Sequence, residues 1–195
     1  PKPQVGIMRF PFSSPKSEFV PQLHGYPLNA LGLTQAINER QYGLLPELIR
    51  AGLQVDQQDE QGWTPLMHVC AVGLLDTAIQ LIELDANLYH RDQNGYSLLH
   101  WAAHSGNADL VALLIGHGLT PQLASTRGVT PLMQAAVGGH LQAMQHLVSQ
   151  GGISTLHARS WDGWSALHHA VANRQVAAAL WLAEQGADPH YPHHH

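Results

Sequence analysis

The stretch GVTPLMQAAVGG, residues 128–139, decides the fold of this chain because it recurs three more times in recognisable form. The copies are GWTPLMHVCAVG at 62–73, GYSLLHWAAHSG at 95–106 and GWSALHHAVANR at 163–174. The threonine or serine after each Gly-x pair lies at positions 64, 97, 130 and 165, which gives spacings of 33, 33 and 35 residues. A period of this length is the signature of an array of stacked supersecondary units.

Each unit is predicted to contain two short amphipathic helices. The first begins at the Thr/Ser position, where a hydroxyl can cap the helix and a following proline suits the first turn. The second carries Leu, Val and Ile at helical spacing and is expected to stop at a glycine that suits a left-handed cap. A fainter copy at 29–52 fits the period if Leu31 takes the Thr position. Such short pairs cannot bury their apolar faces alone, so we expect them to stack.

These units resemble ankyrin repeats. The resemblance is carried by Thr64-Pro65-Leu66, Leu98-Leu99-His100 with Ala102-Ala103, Thr130-Pro131-Leu132, Gly139-His140, and Leu167-His168 with Ala170. It implies an all-α solenoid of stacked helix-turn-helix units with β-turn fingers. We predict repeats at about 29–58, 59–91, 92–124, 125–159 and 160–192. Met67 and Met133 depart from the family pattern, which usually has histidine at that position.

The two ends of the chain do not follow the period. Residues 1–28 are rich in Pro, Phe and Ser and are predicted to form an extended N-terminal arm that caps the first repeat or docks a neighbouring chain. The chain starts at Pro1 without Met, so we expect that upstream sequence is missing. Residues 193–195, all histidine, are interpreted as a probable tag remnant.

The composition and charge of the chain argue against two functional classes, nucleic-acid binding and membrane insertion. A net charge of −5 gives no basic footprint for nucleic acid, so nucleic-acid binding is not expected. The apolar runs are too short for membrane insertion. Lysine occurs only at positions 2 and 16, which reflects lineage bias or selection against ubiquitination in a host cell. We therefore expect a cytoplasmic protein, with secretion into a host cell as the alternative.

No residue pattern predicts catalysis, a cofactor or a metal. His100 and His104 have the i, i+4 spacing of metallopeptidase helices, but residues 101–103 between them contain no carboxylate. The resemblance instead gives His100, His168 and His140 structural roles and places His104 on the concave surface. Cys70 is predicted to be a buried, inert thiol. The Asp59-Glu60 pair is interpreted as a solvated turn.

The sequence does predict a binding surface. The resemblance implies that turn tips and first helices form a concave face whose variable positions select the partner. Here these positions hold Glu60, Gln61, Trp63, His68, Gln93, Asn94, Tyr96, Trp101, His104, Ser105, Arg127, Val129, Gln134, Trp161, Trp164, His169 and Asn173. Trp, Tyr and Arg dominate interface hot spots. The aromatic residues either face a ligand or prop neighbouring turns against each other.

The sequence thus favours a non-catalytic module that binds another protein or a peptide on its concave aromatic face. A bacterial effector or a regulatory, partner-neutralising protein would fit the composition. The alternatives are the substrate-recruiting part of a larger protein and a self-assembling scaffold. The apolar last helix indicates either that the full-length protein continues or that Trp181 and its neighbours meet a partner, for example by self-association through the terminal repeats.

Overall fold

The computed structural model describes residues 21–190, apart from the side chains of residues 152 and 153. Most of the predicted arm, residues 1–20, and the predicted tag remnant, residues 193–195, lie outside the described residues. Within the described range the chain forms five successive helix pairs. The pairs are α1 (Ala30–Asn38) with α2 (Leu45–Arg50), α3 (Pro65–Val72) with α4 (Leu75–Glu83), α5 (Leu98–Ser105) with α6 (Ala108–Gly116), α7 (Pro131–Gly138) with α8 (Leu141–His157), and α9 (Ala166–Ala172) with α10 (Val176–Glu184).

The first helices of the second to fifth pairs begin where the Thr/Ser positions predict. The hydroxyls of Thr64 and Thr130 accept hydrogen bonds from the backbone N–H three residues later, at 3.3 and 3.4 Å. Ser97 and Ser165 instead take part in capping boxes with the histidines three residues on. Both arrangements satisfy backbone donors that the first turn of a helix leaves unpaired.

The first helices stack side by side and make the core continuous. α5 packs between α3 and α7, and α7 packs in turn against α9. The alanine pairs 102–103 and 135–136 are completely buried between these helices, because a small side chain lets the next helix approach closely. The all-α solenoid predicted from the repeat is therefore confirmed.

Glycines end three of the first helices. Gly73, Gly106 and Gly139 adopt the left-handed conformation at the helix C-terminus. At Gly106 the space is filled as well, because a Cβ there would lie 2.4 Å from the ring of His140. A side chain at this position would meet both backbone strain and a clash.

The second helices depart from the predicted glycine stop in two units. Gly52, Gly118 and Gly186 are left-handed shortly after α2, α6 and α10, but Asp85 takes that role after α4 at φ 63°. In the fourth unit α8 does not stop at Gly151 and continues to its seventeenth residue, His157. The two extra residues of this unit are absorbed as additional helix instead of a longer loop.

In the first unit the helix cap is not at the position that the repeat alignment predicts. Asn29 is the N-cap of α1, where its side chain accepts from the Gly32 N–H at 3.2 Å, so Leu31 does not cap the helix. Burial nevertheless keeps the 33-residue register, since Leu33 is 1% exposed and Leu66 is 0% exposed. The helix starts earlier than in the other units, and Leu31 lies in its first turn with 65% of its surface exposed.

A short hairpin precedes α1. Strands β1 (Gln22–Leu23) and β2 (Tyr26–Pro27) pair in antiparallel register. The hydroxyl of Tyr26 donates to a carboxylate oxygen of Glu39 at 2.5 Å, and Tyr26 is buried against the core. The hairpin thus packs on the N-terminal end of the solenoid. In the described part of the chain no helix is both long and apolar enough to cross a bilayer.

Candidate binding surface

Four turns project from the solenoid ahead of the first helices of units two to five. We call them fingers one to four; they comprise residues 59–63, 92–96, 125–129 and 160–164. In each finger the first residue exchanges backbone hydrogen bonds with the last two positions of the turn, at 2.8–3.1 Å. The side chain of the first residue fixes the turn by accepting backbone N–H groups, as Asp59 does from Gln61 and Trp63 at 2.9 Å. The β-turn fingers predicted from the repeat are present.

The fingers are also bonded to each other. The backbone N–H of Thr126 donates to the carbonyl of Asn94, and that of Trp161 donates to the carbonyl of Arg127, both at 3.0 Å. The tips of fingers two, three and four therefore form a continuous ledge. Its regular spacing means that a bound chain would meet similarly placed side chains at successive units.

Five predicted residues form one aromatic cluster, which we define as Trp63, His68, Tyr96, Trp101 and His104. The rings of Trp63 and Trp101, from adjacent units, have centroids 4.2 Å apart. The ring centroids of Trp63 and His68 lie 4.9 Å apart, and those of Trp101 and Tyr96 lie 5.3 Å apart. His104 meets the edge of Trp101 at 6.1 Å. The two interpretations of these rings are thus compatible, since they brace neighbouring units while remaining partly exposed or, at His104, exposed.

The C-terminal half of the predicted surface is separate. Trp164 and His169 form their own ring pair at 5.2 Å. At the matching positions of the preceding unit, the chain has the non-aromatic residues Val129 and Gln134. In the described residues no ring contact connects this pair with the aromatic cluster. Trp161 is 77% exposed at the tip of finger four.

The remaining predicted residues are polar and line the exposed rim. The side-chain amide of Gln93 donates to the Glu60 carbonyl at 2.9 Å, which links the tips of fingers one and two. Asn173 lies at the end of α9 and donates to the carbonyl of His169 at 2.8 Å. The exposed members of the predicted set are Glu60, Gln61, Gln93, Asn94, His104, Arg127, Trp161 and Asn173, whereas Ser105 is half-buried.

The framework histidines occupy structural positions. Nδ1 of His100 accepts the Ser97 N–H at 3.1 Å, and its Nε2 donates to the carbonyl of Val129 at 2.9 Å. Burial lowers the pKa of His100 to about 4, so the imidazole is neutral at physiological pH. Both ring nitrogens of His100 are therefore engaged in the framework, and the ring does not share a ligand with His104.

A polar side chain at the start of α6, α8 and α10 ties neighbouring units together. The ring of His140 donates from Nε2 to the His104 carbonyl at 3.1 Å. Asn107 donates from its amide to the Gly73 carbonyl at 2.9 Å, and Gln175 makes the same kind of contact with the fourth unit at 3.2 Å. These bonds satisfy carbonyls at the C-termini of first helices, which would otherwise lack partners.

The sequence interpretation of Asp59 as part of a solvated turn is wrong. Only 25% of its side chain is exposed, and Oδ2 accepts from Nε2 of His68 at 2.8 Å. Asp92, which the sequence analysis did not single out, takes the same place in finger two and is 6% exposed. The signal that could have identified both is the recurrence of Asp-x-x-Gly 33 residues apart.

The thiol of Cys70 is completely buried, and burial raises its pKa far above the usual range. Such a thiol is not available as a thiolate nucleophile. Among the described residues, no group of three or more His, Cys, Asp or Glu side chains is placed to hold a metal ion.

Comparison with known proteins agrees with this architecture. The family model for ankyrin repeats (3 copies) matches residues 33–125 and 118–192. Among curated proteins, the chain is similar to ankyrin repeat, SAM and basic leucine zipper domain-containing protein 1. The Homo sapiens protein is 31% identical over 105 residues, which is 52% of this chain and 22% of the relative. The Notamacropus eugenii protein is 33% identical over 116 residues, 56% of this chain and 24% of the relative.

The protein of the same name from Dasypus novemcinctus is 29% identical over 121 residues, or 60% of this chain. That match spans 25% of the relative's length. The chain thus covers about a quarter of these curated proteins or less.

Proposed function

Since this chain belongs to the ankyrin-repeat family, whose members are generally protein–protein interaction modules, we propose that it is a non-catalytic module that binds a protein or peptide on its concave aromatic face. Family membership supports the general class, and the aromatic cluster supports the choice of surface. The finer hypotheses of a bacterial effector and of a neutralising partner stay predictions from composition.

The observation that carries the proposal is the continuity of the aromatic cluster across two units. Large aromatic side chains contribute much contact area with few rotatable bonds, which is why they dominate binding interfaces. The cluster is held by packing, since Trp63 and Trp101 both lie against the hydrophobic core. A rigid, partly exposed surface loses little conformational entropy when a partner binds.

Partner capture by tryptophan variants tests this function. We expect Trp101→Ala and Trp164→Ala each to weaken binding by about 2 kcal/mol, the size of a hot-spot truncation. Trp181→Ala is the matched control, because Trp181 lies on α10 outside the proposed surface. The measurement is quantitative pull-down from an extract of the source cells, with urea unfolding of every variant to exclude loss of the fold.

Two results would reject the proposal. One is unchanged capture by both surface variants while their fold is intact. The other is an equal loss in the Trp181→Ala control, which would mean that tryptophan truncation acts through stability and not through contact with the partner.

Self-association is the second candidate, and the exposed end of the solenoid favours it. Val171, Val176 and Leu180 are 62%, 67% and 61% exposed and border a groove of about 720 Å³ between α9 and α10. Val171 occupies the position at which Ala103 and Ala136 are fully buried under the next unit. An apolar surface of this kind is normally covered in a repeat protein.

A second copy of the chain would bury this largely apolar face, since Arg174 is the one residue of the groove lining, apart from histidine, that carries a charge. Light scattering across a concentration series tests the idea. We expect a concentration-dependent dimer that Leu180→Gln abolishes. A monomer at all concentrations would reject self-association.

A further inference from the structure

We propose that the N-terminal end of the concave surface binds an extended peptide segment that carries an arginine or lysine side chain beside an apolar one. This inference rests on the proposed function, because it assigns the partner chemistry of the same surface. The proposed site combines a groove, the charges that line it, and the aromatic cluster that adjoins it.

The groove lies between α1 and finger one and has a volume of about 710 Å³. Leu31 and Thr34 line it from α1, while Asp59 and Glu60 line it from the finger. Leu31 is 65% exposed there because α1 begins earlier than the other first helices. A groove of this size, with one exposed leucine, accommodates an apolar side chain of a bound segment.

Apart from histidine, the ionisable side chains of the groove are all acidic. Its lining contains two carboxylates, Asp59 and Glu60, but no lysine or arginine. Burial opposes ionisation of Asp59, but hydrogen bonds from the Trp63 and Gln61 N–H groups and from His68 outweigh it, so its pKa lies below the ordinary value. The groove is therefore negative at neutral pH, which is complementary to a cationic side chain.

The aromatic cluster extends this negative groove. His68 forms part of the groove wall, its ring lies 4.9 Å from that of Trp63, and Trp63 in turn contacts Trp101. The face of an indole ring attracts a guanidinium or ammonium group within about 6 Å. A cation anchored by the carboxylates can thus lie against Trp63.

A second acidic position lies behind the cluster. Asp92 is 6% exposed, and its Oδ2 has no hydrogen-bond partner among the described residues. In the preceding unit the equivalent oxygen of Asp59 accepts from His68, but Trp101 occupies the histidine's place and its Nε1 is likewise unpartnered within the described range. The two unpartnered atoms thus belong to residues whose counterparts in the preceding unit, Asp59 and His68, are bonded to each other. A buried carboxylate in this position adds to the attraction for a cation and disfavours an acidic segment.

The probe is a set of three fluorescein-labelled peptide pools, each of eight Gly/Ser residues with one leucine and one variable residue at spacings of one to four. The variable residue is arginine in the first pool, its neutral isostere citrulline in the second, and glutamate in the third. Fluorescence anisotropy measures binding to the full chain. We expect the arginine pool to bind about tenfold more tightly than the citrulline pool, with the glutamate pool weakest.

Two variants locate the binding. Glu60→Gln removes an exposed charge whose side chain makes no hydrogen bond in the described structure, and we expect it to weaken the arginine pool about threefold without changing the citrulline pool. Glu83→Gln makes the same chemical change on the exposed face of α4 and is expected to have no effect. Raising the salt concentration should weaken only the arginine pool.

Equal affinity of the arginine and citrulline pools overturns the inference, as do a preference for glutamate, the absence of binding by every pool, and an equal effect of Glu60→Gln and Glu83→Gln. These failures are distinguishable from failure of the proposed function. If the pools fail while Trp101→Ala still weakens partner capture, the surface binds a partner of different chemistry. If capture is unaffected as well, the proposed function fails too.

Discussion

Exchange of the Ser97/His100 pair for the Thr/Met pair of other units should remove a defined part of the protein's acid sensitivity. The chain supplies the replacement itself, because the equivalent positions are Thr64 and Met67 in the second unit. The perturbation is the double substitution Ser97→Thr with His100→Met. Met67 is completely buried in its own unit, so the exchange keeps an apolar side chain that this framework already accommodates.

The magnitude follows from the pKa of His100. Burial lowers this pKa to about 4 in the folded protein, whereas an unfolded histidine titrates near about 6.5. The neutral form is thus favoured by folding, so its stabilisation is fully present above pH 6.5 and is lost as the pH falls towards 4. At about 1.4 kcal/mol per pKa unit, the loss between pH 7 and pH 4 is on the order of 3 kcal/mol.

The assay is urea unfolding of both proteins, monitored by far-UV circular dichroism and repeated at half-unit pH steps from 7.5 to 4. We expect the free energy of unfolding of the native sequence to fall about 3 kcal/mol further than that of the double variant over this range. His168 and His169, whose pKa values burial also lowers, remain in both proteins and cancel in the comparison. Parallel pH profiles of the two proteins would refute the reasoning.

Three further changes are expected to affect stability in different ways, and urea unfolding measures each. Gly106→Ala places a Cβ at φ 78° against the ring of His140 and should lower the free energy of unfolding by about 1–2 kcal/mol. Gly43→Ala is the control, because a Cβ there meets nothing within 4 Å, and it should change stability by less than about 0.5 kcal/mol. Equal effects of the two substitutions would contradict this. Asn107→Ala removes both a helix cap and a bond between units and should cost about 1–2 kcal/mol; an unchanged midpoint would contradict it. Trp101→Ala should cost about 2 kcal/mol because the ring packs on the core, but Trp161→Ala less than about 0.5 kcal/mol because that ring is 77% exposed.

Repetition made most of the fold predictable. Four copies of one pattern specify the same caps and the same buried positions, so an error in one copy is corrected by the others. The first unit shows where this fails: its sequence matches the period only weakly, and the cap moved to Asn29 while the buried residues kept their register. A cap depends on one local hydrogen bond, whereas the register depends on the whole packed face.

The fourth unit shows a second limit. Glycine at positions 151 and 152 indicates a helix stop, because glycine is a weak helix former. The structure instead continues α8 to His157, and Leu156 is 2% exposed. Burial of this later apolar residue outweighs the local preference, and a single sequence does not reveal which of the two effects is larger.

The positions of the fingers and first helices were predictable, but the contacts between their side chains were not. The repeat places finger tips and first helices on one side, which is sufficient to nominate the variable residues. It does not show that Trp63 and Trp101 contact each other across two units, since this depends on their side-chain rotamers. Nor does it show that Asp59 is half-buried, because the sequence does not distinguish a solvent-exposed aspartate in a turn from one that accepts hydrogen bonds within the protein.

The contacts within the aromatic cluster also determine where this surface could change its specificity. Trp63 and Trp101 pack on the core and on each other, so a substitution at either one alters the stability of two units together with the binding surface. The exposed tip residues Glu60 and Asn94 contribute to the framework through their backbone carbonyls, which accept hydrogen bonds from the neighbouring finger. Their side chains are therefore free to differ without loss of these hydrogen bonds between fingers. Under the proposed function, selectivity among partners should accordingly reside in the polar tips, and affinity common to all of them in the aromatic cluster.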